Sequence, residues 1–379
     1  LIPSFAGSIP AGPAIFRQYH PSVNLVVTPN LSTLYISITF SFAANSNIHY
    51  SNDFHRLHSK SPLTVDTLNH VLNVAVLRFH TYLSSPVGLL SRLQRTLNKR
   101  VTMSPLISVT DFFELSESSD NLIILDCRSD LSDSANAVKL YNEGHILNAI
   151  HAHLEDDLSG PIIPGKTSRH PLPSKENWQA TLQRWGVEKS STVVVYDQSN
   201  NMFSARAWWM LRWAGITNVL VLDGGLNAWL NAGHPISTLA PSPSPSSIQI
   251  ELANWVITAE DIPSLQAQIL DARALPRYAG ETEPLDGKAG HIPSAQNADF
   301  SKNLTSEGFF QPKEVLHQRF AQCRDDVVCY CGSGVTACHN ILAFDIAGLP
   351  MPKLYAGSWS EWITDPNRPI ATGIEGEAL

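Results

Sequence analysis

Two tandem copies of one α/β unit, each a parallel sheet flanked by helices, are what this sequence predicts. The first reason is an ordered repeat after Met103. Ile123-Ile124-Leu125-Asp126-Cys127-Arg128 answers to Gln268-Ile269-Leu270-Asp271-Ala272-Arg273, and Gly144-His145-Ile146 to Gly290-His291-Ile292. Val193-Val194-Val195-Tyr196-Asp197 then matches Val327-Val328-Cys329-Tyr330-Cys331, and Asp223-Gly224-Gly225 through Trp229 matches Ala356-Gly357-Ser358 through Trp362. Order is kept as well as residue type, the mark of an internal duplication. The second reason is alternation: short apolar, β-branched runs take turns with helix-period segments, which implies parallel strands joined by crossover helices.

Each element of the first copy has its own signal. Leu122–Leu125, Thr192–Tyr196 and Val219–Leu222 are apolar runs of strand length and read as central strands. Trp208–Ala214 spaces its aromatic and apolar residues helically, and Gly215 stops it. Between the copies, residues 239–247 alternate Pro and Ser and read as an extended, semi-rigid linker with nothing to bury. The expected organisation is therefore 103–238, linker 239–247, and 248–379.

Residues 1–102 are of a different kind. They hold eight basic residues and two acidic ones, Asp53 and Asp66, hence +6, which leaves −14 for the remainder of a chain whose net charge is −8. All nine tryptophans and all five cysteines come later. Three readings compete: a targeting extension, a separate small domain, or upstream sequence translated ahead of a start at Met103. The compositional break favours the third. Val65–Leu83 is apolar enough to form a helix, without that making it functional.

Composition narrows the function class. The 379 residues are 43% hydrophobic and 16% charged, with no apolar run long enough to span a bilayer. The acidic balance, with no basic stripe and no zinc spacing, argues against nucleic acid and against a metal. Five cysteines without a Cys-x-x-Cys favour a reducing compartment, with one thiol kept for chemistry.

That thiol is Cys331. A β-branched strand delivers it into Cys331-Gly332-Ser333-Gly334-Val335-Thr336, and a helix-forming segment follows at once. Glycine lets such a loop curl with its N–H groups inward, and the helix adds positive charge at its N-terminus. A cysteine there is expected to stand as a thiolate nucleophile. The first copy has Asp197 at this place, so only the second carries a nucleophile. Cys329 falls on the same strand face as Cys331 by alternation; a buried strand cysteine accounts for it better than a resolving role.

These motifs resemble the tandem-domain sulfurtransferases of the rhodanese superfamily, over essentially all of 103–379. Cys-Gly-Ser-Gly-Val-Thr is similar to the loop of the branch that uses 3-mercaptopyruvate, while thiosulfate-specific relatives carry basic side chains there. Leu354-Tyr355-Ala356-Gly357-Ser358-Trp359-Ser360-Glu361-Trp362 and Ser204-Ala205-Arg206-Ala207-Trp208-Trp209-Met210-Leu211-Arg212 are further signatures. The sequence departs from the family at Leu147-Asn148 and Pro293-Ser294, where Pro-Gly usually follows His-Ile, and at Ala205, where proline is frequent.

The resemblance implies double displacement without a cofactor: Cys331 takes sulfur from a small-molecule donor as a persulfide and gives it to cyanide or to a thiol such as thioredoxin or glutathione. Gly332, Gly334, Val335 and Thr336 would cradle the persulfide. Ser333 either serves the donor's sulfur and proton or caps the following helix. The donor's carboxylate calls for a fixed cation, with Arg206 as first candidate and Arg212 as second. The resemblance also places His145, with an acid such as Asp133, in a relay from the first domain to the loop; its counterpart His291, with Asp271 and Arg273, reads as holding the fold, since Asp-x-Arg stands in both copies. Thiosulfate is the alternative donor, and a persulfide relay protein without its own donor is the alternative class. A phosphatase would need an arginine where Thr336 and Ala337 stand. The expected location is the cytoplasm, or the mitochondrion if residues 1–102 are a targeting extension.

Overall fold

The runs rich in Val, Ile and Leu form the middle of two parallel sheets. The computed structural model describes residues 21–30, 33–42 and 104–379, apart from 120, 132, 199 and 376–378. Contacts divide the chain into 1–99 and 100–379. In the first unit the described part is an antiparallel pair, β1 (Pro21–Asn30) and β2 (Thr33–Phe42). Val65–Leu83 lies outside the described residues.

The second unit holds both copies. The first copy runs β3 (Leu106–Ile107), α1 (Val109–Ser118), β4 (Leu122–Asp126), α2 (Ser134–Glu143), β5 (Ala149–His151), α3 (Lys175–Arg184), β6 (Thr192–Tyr196), α4 (Met202–Trp213), β7 (Val219–Leu222) and α5 (Gly225–Asn231). Its five strands lie in the order β3-β7-β6-β4-β5, all parallel. Side-chain oxygens of Ser108 and Ser174 accept backbone N–H groups at the starts of α1 and α3, satisfying donors that a helix start leaves without intrahelical partners.

The second copy runs β8 (Gln268–Asp271), α6 (Leu275–Ala279), β9 (Gln296–Asn297), α7 (Lys313–Phe320), β10 (Val327–Tyr330), α8 (Thr336–Ala347), β11 (Lys353–Leu354) and α9 (Ser358–Trp362). Its strands lie in the order β11-β10-β8-β9, again parallel. Where β3 stands in the first copy, the second has a single parallel bridge from Val256 to Leu354. One architecture is thus built twice, with the edge strand reduced in the second.

Matching residues hold both frames. Arg128 clamps Asp126 and donates to the Gly144 carbonyl at 2.7 Å; Arg273 clamps Asp271 and donates to the Gly290 carbonyl at 2.7 Å. Such two-bonded arginine–carboxylate pairs fix geometry as well as charge. The Tyr196 and Tyr330 hydroxyls accept from the N–H groups of Ile146 and Ile292. The two copies also turn alike after His-Ile. Asn148 (φ 64°) and Ser294 (φ 68°) take the left-handed conformation that glycine adopts more readily.

α4 and α8 are buried on nearly every face, and they pack against each other across the two copies. Helices apolar all round belong in an interior. Each begins five residues after its loop position, 197 or 331, so their packing anchors the two loops within one core. The 239–247 segment has no regular structure and is largely exposed. Ser246 ties it to the end of α3 by bonds to Gln183 and Val187, and Ile248 and Ile250 then enter the core.

Candidate active site

Cys331 follows the last residue of β10 and is 2% exposed. Three bonds from the 358–360 turn fix its loop. The Cys331 N–H donates to Ser358 Oγ at 3.1 Å, and the Cys331 and Gly332 carbonyls accept from the N–H groups of Trp359 and Ser360 at 2.9 Å. Ser358 is buried and left-handed (φ 56°), a strained setting for a residue with a Cβ. Gly334 (φ +81°) is required twice over, since a Cβ there would come within 2.5 Å of the Ala356 carbonyl. Its N–H points at the Cys331 Sγ from 3.1 Å. α8 then starts at Thr336, with Val335 as its cap and no capping side chain. Ser333 is therefore not the helix cap.

Ser333 instead meets a histidine from the other copy. His170 Nδ1 lies 2.8 Å from Ser333 Oγ, and His170 Nε2 lies 3.9 Å from Glu155 Oε1. Burial, with the charges of Arg206 and Arg169, lowers the His170 pKa to about 3. The ring is neutral at ordinary pH, able to pass a proton without holding a charge.

Arginines approach the loop on two sides. Arg206 is completely buried and donates to the carbonyls of Gly334 (2.9 Å), Leu158 (3.0 Å) and His170 (3.2 Å). It is brought to the loop as expected, yet with its guanidinium engaged by three segments of backbone. At Gly332, an added Cβ would lie 2.9 Å from the Arg169 guanidinium and 3.4 Å from that of Arg277. Those two side chains are partly exposed and present N–H groups beside the loop.

Three expectations are corrected. His145 is engaged elsewhere than the loop: its ring nitrogens face the carbonyls of Tyr141 and Leu239, its ring stacks on Tyr141, and its backbone pairs with Ser237. His291 does the same job in the second copy, stacked on Tyr278 with backbone pairing to Ala371. Both are structural. Asp133 caps α2 by accepting from the Ala135 N–H, a common role for an aspartate at a helix start; Glu155 is the acid that faces the histidine. Arg212 lies over the Trp208 ring and donates to the Thr217 carbonyl, on the helix surface away from the loop.

The other cysteines are poor nucleophiles. Burial pushes the thiols of Cys127 and Cys329 up, that of Cys323 to about 11 and that of Cys338 to about 12. Cys329 is a core residue of β10. Among the described residues, no group of three or more His, Cys, Asp or Glu side chains is placed to hold a metal ion, and no helix is long and apolar enough to cross a membrane.

His170, Arg169, Glu155 and Arg277 are not among the residues that the sequence singles out. They stand in irregular segments or a short helix without periodicity, more than fifty residues from the loop. One signal existed: Arg169-His170 has no counterpart in the second copy, as site residues of a duplicated chain need not.

The model of the rhodanese-like domain matches residues 108–232 and 253–365. A Pseudomonas aeruginosa protein named "Probable 3-mercaptopyruvate sulfurtransferase" is 49% identical over 269 residues, covering 68% of this chain and 94% of its own. The human 3-mercaptopyruvate sulfurtransferase is 39% identical over 206 residues, covering 51% and 69% respectively. The solved 3-mercaptopyruvate sulfurtransferase from Leishmania major superposes with a TM-score of 0.63 at 30% identity, over 71% of this chain and 76% of that one. With two matching domains around one cysteine loop, the chain belongs to the rhodanese family as a tandem-domain sulfurtransferase.

Proposed function

We propose that the enzyme moves a sulfur atom from 3-mercaptopyruvate, through a persulfide on Cys331, to a thiol or cyanide acceptor. The activity belongs to residues 103–379, with 248–379 carrying the nucleophile, 103–238 forming the facing wall, and no part assigned to 1–102.

The observation that carries this reading is the Ser333–His170 contact of 2.8 Å. The Cys331 thiolate attacks the donor's sulfur, the S–C bond breaks, and its electron pair leaves on the enolate of pyruvate. The thiol proton must leave sulfur, and the enolate carbon must gain one. A neutral histidine joined to a serine beside the nucleophile suits that transfer in both directions. Thiosulfate carries no such proton and needs no shuttle.

Arg169 and Arg277 would hold the donor's carboxylate and keto oxygens beside Gly332. Arg206 would fix Gly334 and set a positive charge behind the sulfur. The loop N–H groups and the α8 N-terminus would stabilise the persulfide anion. The acceptor thiolate or cyanide then attacks the outer sulfur and regenerates the Cys331 thiolate. Thioredoxin and glutathione are suitable thiols, and the acidic chain offers nothing to nucleic acid.

Steady-state rates with 3-mercaptopyruvate and with thiosulfate, at fixed cyanide, test the proposal. The expected result is a kcat/KM for 3-mercaptopyruvate at least about tenfold higher. Outright preference for thiosulfate would overturn the donor assignment and leave the persulfide chemistry standing.

A further inference from the structure

Beside the active loop, arginines from both copies converge on one loop of the second. Arg169 Nε donates to Asp286 Oδ1 at 3.0 Å, and Arg277 Nη2 donates to Asp286 Oδ2 at 3.1 Å. Arg277 also bonds Glu283 at 2.7 Å, and Arg273 reaches the same Glu283 at 3.3 Å. The carboxylates of Glu283 and Asp286 are each 3% exposed, while Arg169 is 30% and Arg277 18% exposed. The arginines are therefore the solvent-facing members of these pairs at the mouth of the loop, and the carboxylates that balance them are covered. With Asp271 paired to Arg273, three arginines face three carboxylates and their charges cancel.

This arrangement is more than a clamp. Two arginines without counter-ions would favour any compact dianion beside Cys331. With their charges balanced, they keep directional donors suited to a carboxylate but lose the net attraction that rewards a second negative charge. Asp286 bonds both mouth arginines, one from each copy, so it decides how much of that attraction survives.

We infer that Asp286 is a specificity-determining residue: by neutralising Arg169 and Arg277 from below, it disfavours dianionic donors such as thiosulfate relative to the singly charged 3-mercaptopyruvate. This rests on the donor reading above. Asp286 touches the arginines and not the reacting atoms, so it acts by positioning and by charge.

The test is the ratio of kcat/KM for thiosulfate to that for 3-mercaptopyruvate, in the full chain with cyanide as acceptor. Asp286→Asn keeps the shape and removes the charge, and should raise the ratio about tenfold. The gain should shrink with added salt, because the mouth is open to solvent. Asp286→Glu keeps the charge and should leave the ratio near that of the unaltered enzyme. Should Asp286→Asn fail to fold, Glu283→Gln removes the other buried charge beneath Arg277 and should move the ratio the same way. Equal losses on both donors, an unmoved ratio or a shift towards 3-mercaptopyruvate would each overturn the inference and leave the donor reading in place. An unaltered enzyme without 3-mercaptopyruvate turnover would bring down both.

Discussion

The loops after β6 and β10 share a frame and differ in what sits at their first position. After β6, Asp197 accepts from the N–H groups of Asn201 (3.0 Å), Phe203 (2.9 Å) and Ser204 (3.2 Å). After β10, the Cys331 sulfur accepts one N–H, from Gly334 at 3.1 Å. Both loops span the same number of residues before their helices begin. The first loop turns several N–H groups towards that point and satisfies them with a fixed carboxyl group. The second presents a sulfur atom, which can carry a negative charge, pass it to a second sulfur and recover it. An internal control for the anion nest is thus part of the molecule.

The largest effect should come from making the two loops alike. Cys331→Asp is expected to fold, to melt no lower than the unaltered chain, and to lose turnover by at least about a thousandfold, as should Cys331→Ser. Serine at Cys127, Cys323, Cys329 or Cys338 should retain most activity. Mass spectrometry after donor alone should find one added sulfur on Cys331. An added sulfur found on Cys329 alone would break the comparison at its root.

Next in size is the contribution that only the second loop receives. His170→Gln should lower kcat/KM for 3-mercaptopyruvate by about 100- to 1000-fold, the usual scale for a proton-transfer group. Thiosulfate, with no proton to shed, should lose far less. Equal losses on both donors would make His170 a packing residue like His145.

The duplication also explains what could be read in the sequence. The strands, the exposed Pro/Ser segment, the helix ending before Gly215 and the Cys331 loop were legible because each is a contiguous signal in a periodic or glycine-marked setting. The histidine was not. His145 sits in Gly-His-Ile, which both copies carry, and a feature shared by the Asp197 copy and the Cys331 copy speaks for the fold. That logic identified His291 and the Asp-x-Arg pairs as structural, and it applied equally to His145. Arg169-His170, found in one copy, lies in a loop whose approach to residue 333 depends on how α4 and α8 pack. Such an approach leaves no local trace.

A smaller effect is expected at the fifth residue of each long helix, Arg206 in α4 and Asn340 in α8. Asn340 donates to the Ala298 carbonyl within its own copy, while Arg206 reaches across to Gly334. Arg206→Ala should leave three buried carbonyls without this partner and cost about 3 kcal/mol of stability in urea unfolding. It should slow both donors in similar proportion, because a displaced Gly334 disturbs the nest whatever the donor. Loss confined to 3-mercaptopyruvate would instead make Arg206 the carboxylate fork.

The smallest effect concerns acid, and it too separates the two copies. His339 in α8 is wholly buried, stacks on Phe310, faces the Asn303 amide through Nδ1 and donates from Nε2 to the Asn200 carbonyl of the first copy's loop. Burial lowers its pKa to about 3, against the favourable pull of the Asn200 carbonyl, and Arg319 lowers it further. His170 is lowered to about 3 as well. In the unfolded chain both would take protons near pH 6.5, so between pH 6.5 and 3 the unfolded state binds more protons than the folded one. The stability lent by these neutral rings is complete above that window and is lost as pH falls through it. Each histidine can contribute a slope of up to about 1.4 kcal/mol per pH unit. His339→Gln keeps an amide donor for Asn200 and removes one titration, so unfolding free energies at pH 7, 6 and 5 should fall less steeply than in the unaltered chain, by up to about 1.4 kcal/mol per pH unit. An unchanged slope would mean that His339 opens to solvent ahead of global unfolding, and that the junction between the two copies is looser than their shared core implies.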